Sequence, residues 1–205
     1  MKKHLQILAL LMAMLPFVTQ AQPLEAYGFS TGVDTSKWVQ LPASLPSLLT
    51  TTGDGVVSSV QSFGFAFPFG GTNYTQFSVN SDGNLRLGST ATSSSYYATP
   101  FSSSYSNQNN PKINMFGCDG YRESANHYVI YMDTVDAAGD SMGVVEFCVG
   151  TYTTSTRSFL YKWQLHLYHN GAMEFVFGAT PATLPAVSQQ RGLCVNSGDG
   201  WVIDA

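Results

Sequence analysis

The chain has 205 residues, 11% of them charged and 13% aromatic, and a formal net charge of −4. That length suits one domain with a sizeable core. With nine Lys and Arg in all and no cluster among them, the composition argues against a nucleic-acid partner, because phosphate contact needs grouped positive charge.

In chain order, Lys2-Lys3, an apolar run from Leu5 to Val18 and the small-residue pattern Thr19-Gln20-Ala21 read as a secretory signal peptide over residues 1–21. The run is too short and wrongly flanked for a stable membrane span, and no second run of membrane length follows. The expected location is therefore secreted or cell-surface. Lys2 and Lys3 are two of the nine basic residues, so the chain from Gln22 carries seven against thirteen acidic ones, a net of −6. Residues 22–205 read as a single domain. Gln22, not a cysteine, stands directly after Ala21, so a lipoprotein anchor is not supported. Export permits disulfides, but Cys118, Cys148 and Cys194 allow at most one internal bridge and leave its pairing open.

Residues 23–52 are weakly patterned. Leu41, Leu45, Leu48 and Leu49 are interrupted by Pro42 and Pro46, which disfavours a helix; short edge strands near Trp38 and Leu48 are expected instead. Phe63, Phe65, Phe67 and Phe69 then alternate with Gly64, Ala66 and Pro68, placing four rings on one face of a strand. Phe77-Ser78-Val79 and Leu85-Arg86-Leu87 flank a polar turn. A three-residue loop, Ser81-Asp82-Gly83, pairs Val79 with Leu85 and Phe77 with Leu87, whereas a two-residue loop would mix core and solvent on both faces. This register puts Gly83 at the left-handed position of a G1-bulge hairpin.

From Ser89 to Ser106, eleven of eighteen residues are Ser or Thr. This low-complexity stretch, about 89–110 in all, reads as a mobile surface loop, with a loop displaying Tyr96, Tyr97, Phe101 and Tyr105 as the competing reading. Strands are expected over Ile113 to Gly120, Tyr128 to Met132 and Val144 to Val149, with a loop from Asp133 to Gly143. Phe159 to Leu167 and Met173 to Phe177 form a second hairpin. A His169-Asn170-Gly171 loop sets Leu167 against Met173, Leu165 against Phe175 and Trp163 against Phe177. Leu193 to Val195 and Trp201 to Ile203 end the series. Many short strands with polar turns and no amphipathic helix predict an all-β, two-sheet antiparallel sandwich of jelly-roll-like type.

The stretch FAFPFGGTNYTQFSVNSDGNLRLGS resembles the opening of the nidogen-type (NIDO-like) extracellular β-sandwich domain, found in N-terminal modules of large exported bacterial surface proteins. FLYKWQLHLYHNGAMEFVFG, from Phe159 to Gly178, is similar to the same family's late hairpin, and Arg191 to Asn196 sits where the family has a further strand. The resemblance implies extracellular binding or adhesion and carries no catalytic residues.

Sharper chemistries compete with that reading. Gly139-Asp140-Ser141-Met142-Gly143 matches the nucleophile-elbow pattern, with Glu146 or Glu174 and His166 or His169 downstream, but a strand is expected where the elbow needs a helix. Asp119, Glu123, Glu146 and Glu174 are the carboxylates a glycosidase would draw on; spacing alone does not pair any two across a sugar. Asp133, Asp136 and Asp140 supply hard oxygen ligands for calcium from one loop, against the plainer reading of a solvated turn; no other cofactor is expected. In the late hairpin, His166 falls opposite Glu174 on the outward face, beside Gln164 and Tyr168. This strip could cradle a sugar, with an ordinary solvated sheet face as the alternative. Asp133-Thr134-Val135 and Asp140-Ser141-Met142 also fit a short bacterial O-glycosylation pattern. The resulting expectation is a secreted, non-catalytic binding module for a glycan or extracellular protein. A purely structural domain, covalently part of a larger surface protein, comes second and a hydrolase last.

Overall fold

The computed structural model describes residues 27–94, 110–117, 119–151, 160–178, 190–196 and 199–203; residues 1–21, read above as a signal peptide, and most of the Ser/Thr-rich stretch lie outside them. Among the described residues, twelve strands form two antiparallel sheets. The first sheet holds β1 (Gly53–Asp54), β6 (Gly120–Arg122), β8 (Ser141–Thr151), β9 (Leu160–Tyr168) and β10 (Met173–Phe177) in that order, with β7 (Tyr128–Val135) also paired to β8. The second runs β12 (Asp199–Ile203), β11 (Gln190–Asn196), β5 (Lys112–Gly117), β4 (Asn84–Leu87), β3 (Thr72–Val79), β2 (Gln61–Phe69). The expected sandwich is therefore present, and no α-helix occurs among the described residues.

The core lies between the sheets and is built from the alternating faces. Phe63, Phe67 and Phe69 of β2 are fully buried, and Phe65 packs against the same cluster. Phe63 stacks on Phe77 with ring centroids 4.5 Å apart. From the other sheet Val145, Phe147, Val149, Trp163, Leu165 and Leu167 close over them, with Phe147 and Trp163 stacked at 5.2 Å. Both hairpin registers are as expected. Val79 faces Leu85 and Phe77 faces Leu87, while Leu167, Leu165 and Trp163 face Met173, Phe175 and Phe177. Gly83 and Gly171 take the left-handed conformation, with φ of 82° and 89°.

Three expectations change. No strand forms near Trp38 or Leu48. Residues 34–45 run as an irregular strap over the outer face of the first sheet, opening with a 3₁₀ turn (Thr35–Lys37) capped by Asp34, before Leu48 and Leu49 join the main core. Pro42 and Pro46 withhold the amides a ladder needs, and Leu48 keeps one backbone bond, to Val129 O at 2.7 Å. The 113–120 strand divides into β5 and β6, which belong to different sheets. At the crossing, a side chain on Gly120 would sit 1.9 Å from Ser81 O, so only glycine fits. The Asp133–Gly143 loop contracts to residues 136–140, because β7 and β8 stay paired out to Val135 and Ser141. The start of the Ser/Thr-rich stretch is tied down: Thr92 N donates to Ser78 Oγ at 2.8 Å and Asn80 Nδ2 to Ser93 O at 3.2 Å.

Candidate functional site

The hairpin brings Gln164, His166, Tyr168 and Glu174 together, with His166 opposite Glu174. Their face is not open to solvent as expected. Gln164 and His166 are 0% and 1% exposed, because the strap lies across them. Leu41 buries itself there against Ile130, Met142 and Val144, with Val39 and Leu45 alongside, making a small second core outside the main one.

Polar groups fasten this cover. The Gln164 amide treats Val39 as a neighbouring strand would: its Nε2 donates to Val39 O at 2.7 Å and its Oε1 accepts from Val39 N at 3.1 Å. The same Nε2 donates to Glu146 Oε2 at 2.8 Å. Glu146, itself buried, also accepts from the Tyr128 hydroxyl at 2.8 Å and lies 3.7 Å from Lys162 Nζ. His166 Nε2 meets Gln164 Oε1 at 3.0 Å, and its Nδ1 faces Glu174 Oε2 at 3.5 Å. Glu174 takes the Lys37 ammonium at 2.7 Å and the Tyr168 hydroxyl at 2.7 Å.

The chain of contacts from Lys37 to Lys162 sets the charge states. Burial pushes the His166 imidazolium down from its ordinary value, against the pull of Glu174. Partial burial opposes charge on Glu174 too, but the Lys37 and Tyr168 hydrogen bonds outweigh it and hold the carboxyl below its usual range. Tyr168 is raised by burial and by Glu174. Sequence alternation found this cluster but not Lys37 or the strap, whose contact with Gln164 spans 125 positions.

The remaining candidates assemble neither a nucleophile elbow nor the expected calcium loop among the described residues, although His169 N donates to Ser141 O at 3.0 Å. Ser141 opens β8 and is followed by strand, so the helix N-terminus that activates a nucleophile elbow is not behind it. His169 approaches Asp140 only to 4.0 Å. Asp136 Oδ1 accepts from Ala138 N and Asp140 N, which is turn capping; Asp133 lies in β7. Glu123 is exposed. Cys148 is buried with a free thiol, and burial raises it.

A different carboxylate group forms where the sheets meet. Asp54 at the end of β1, Asp82 in the β3–β4 turn and Asp119 before β6 each place an oxygen within 4.8 Å of the others. It is the one such cluster among the described residues. Asp82 is 0% exposed; it accepts from Gly120 N at 2.9 Å and Asn80 Nδ2 at 3.2 Å. Burial, reinforced by Asp119 and Asp54, pushes its carboxyl up to about 8, although the Gly120 amide opposes this. Asp119 is pushed up to about 6 by burial and by Asp54. Three carboxylates of this kind are the oxygen donors that could hold a hard divalent cation. No spacing signature announces them, since they come from three separate segments.

The sequence profile of a family described as NIDO related matches residues 26–200. No curated protein and no solved structure matches the chain.

Proposed function

This chain belongs to the NIDO-related family, and from that premise we propose that it is a secreted, non-catalytic binding and adhesion module whose ligand is a glycan or an extracellular protein. The family match carries the proposal. The strand that follows Ser141 argues on the same side, because a nucleophile elbow activates its serine at a helix N-terminus. Around the covered strip, Tyr168, Glu174 and Lys37 keep a solvent-facing side. An aromatic ring beside a charged pair at such a rim suits a polar ligand.

A purely structural role is the second reading. One observation favours it: Glu146, Gln164 and His166 direct their hydrogen bonds inward and hold the chain's own strap.

The test is a glycan and matrix-protein array probed with folded Gln22–Ala205, with and without calcium. A specific hit weakened by Tyr168→Ala, in a variant with unchanged circular dichroism, supports the binding reading. A calcium-dependent hit that Asp82→Asn abolishes would add the carboxylate cluster to the binding face. A blank array from folded protein would overturn the binding reading in favour of the structural one.

A further inference from the structure

We propose that the strap over the first sheet is a pH-sensitive latch with His166 as its proton sensor, closed at neutral pH and released on acidification. The hydrogen bonds fix the chemistry of the ring. Both acceptors of Gln164 Nε2, Val39 O and Glu146 Oε2, can only accept, so the amide cannot be turned round. Its Oε1 therefore faces His166, and His166 Nε2 must carry the hydrogen. The neutral ring consequently presents a bare Nδ1 to Glu174 Oε2 at 3.5 Å. A second proton has one place to go, on Nδ1.

That proton would put a cation into a site 1% exposed to water. Glu174 on β10 faces it but is already held by Lys37 of the strap and by Tyr168. Lys37 adds like-charge repulsion. Val144 of β8 lies opposite the ring and offers no polar group. Glu146 is separated from it by the Gln164 amide and engaged by Tyr128 and Lys162. An imidazolium here gains water only when the strap lifts, and lifting costs the paired Val39 bonds and the packing of Leu41.

The sign follows from linkage. A histidine whose closed-state pKa is depressed leaves closure at full strength above its ordinary value of about 6.5, and closure weakens as pH falls through that value. Once lifted, the strap would expose Gln164, His166 and the apolar patch of Ile130, Met142 and Val144. The latch stands whether or not that face takes a ligand.

Hydrogen exchange on the full chain tests it, read as protection factors for residues 38–45 so that intrinsic pH effects cancel. Local readout matters because burial also depresses His127. Protection should fall about tenfold between about pH 7.5 and about pH 5 in the wild type and stay level in His166→Gln, which keeps an Nε donor for Gln164 but takes no proton. In wild-type NMR spectra, the His166 ring should titrate below about 6.5, and the Val39 amide should shift with the same midpoint. Equal protection at both pH values, the same loss in His166→Gln, or a Val39 amide indifferent to the His166 titration would overturn the latch. If His166→Gln does not fold, the wild-type NMR titration decides alone.

Discussion

Two turns of one design meet different fates in this molecule. Ser81-Asp82-Gly83 and His169-Asn170-Gly171 are both three-residue hairpin loops closed by a left-handed glycine. Their backbone bonds correspond: Asn80 N to Asn84 O at 3.1 Å in one, Tyr168 N to Ala172 O at 3.0 Å in the other. Yet Ser81 and Asp82 are fully buried, while His169 and Asn170 are exposed. The first turn is a clamp between sheets. Ser81 Oγ donates to Gly120 O at 2.8 Å and accepts from Val56 N at 3.0 Å, and Asp82 takes Gly120 N. Local sequence builds the turn in both cases; burial is decided by whether a distant strand arrives with matching donors and acceptors.

The sharpest way to break this contrast is at Gly120. A methyl group there would strike Ser81 O at 1.9 Å, a backbone atom that cannot swing aside. Gly120→Ala should cost about 3 kcal/mol or more, seen as a large drop in the urea midpoint. A near-neutral result would mean the turn does not bear on β6 as described. Next in size is the titration of Asp82. A carboxyl held near 8 in the folded state and near its ordinary value when unfolded binds more proton folded than unfolded. Stability contributed by this group is complete below about pH 4 and declines as pH rises towards 8, by an amount on the order of 2–5 kcal/mol. Asp82→Asn keeps the shape and cannot ionise, so denaturation midpoints followed across that window should lose most of their slope. An unchanged slope would place the proton elsewhere.

What the sequence made legible follows the same division. The alternation at Phe63 to Phe69 and the apolar partners flanking each turn specify core and register, because one residue of slippage would send Phe77 and Val79 to the wrong face. Alternation also grouped Gln164, His166 and Glu174 correctly. It could not say what lies above them. Polar residues on a sheet face read as solvated, and here they are buried because they satisfy one another and the backbone of Val39. The strap has no period to read, since Pro42 breaks it, and its partner residues lie far along the chain. Asp54, Asp82 and Asp119 each look like ordinary turn residues, and only the crossing from β5 to β6 gathers them.

The covered face extends the comparison with a smaller effect. Gln164→Ala removes the partner of Val39 N, Val39 O and Glu146 Oε2 together, leaving buried groups without hydrogen bonds. About 2–3 kcal/mol should be lost, with the change in urea midpoint as the measure. Were this face an ordinary solvated surface, the change would stay within about 0.5 kcal/mol, so the experiment separates the two descriptions directly.

The smallest effect belongs to the exposed turn. Asn170 Oδ1 accepts from Ala172 N at 3.0 Å, a bond that water can replace when the side chain is cut back. Asn170→Ala should therefore cost about 0.5 kcal/mol or less, and its thermal midpoint should barely move. The glycine that follows is the part of this turn that resists change: Gly171 has φ +89° and lies where a side chain would meet Pro68 O at 2.9 Å. A loss at Asn170 approaching that of Gly120→Ala would show that exposure does not distinguish the two turns. The clamp at Asp82 would then be a property of the hairpin itself, independent of what docks on it.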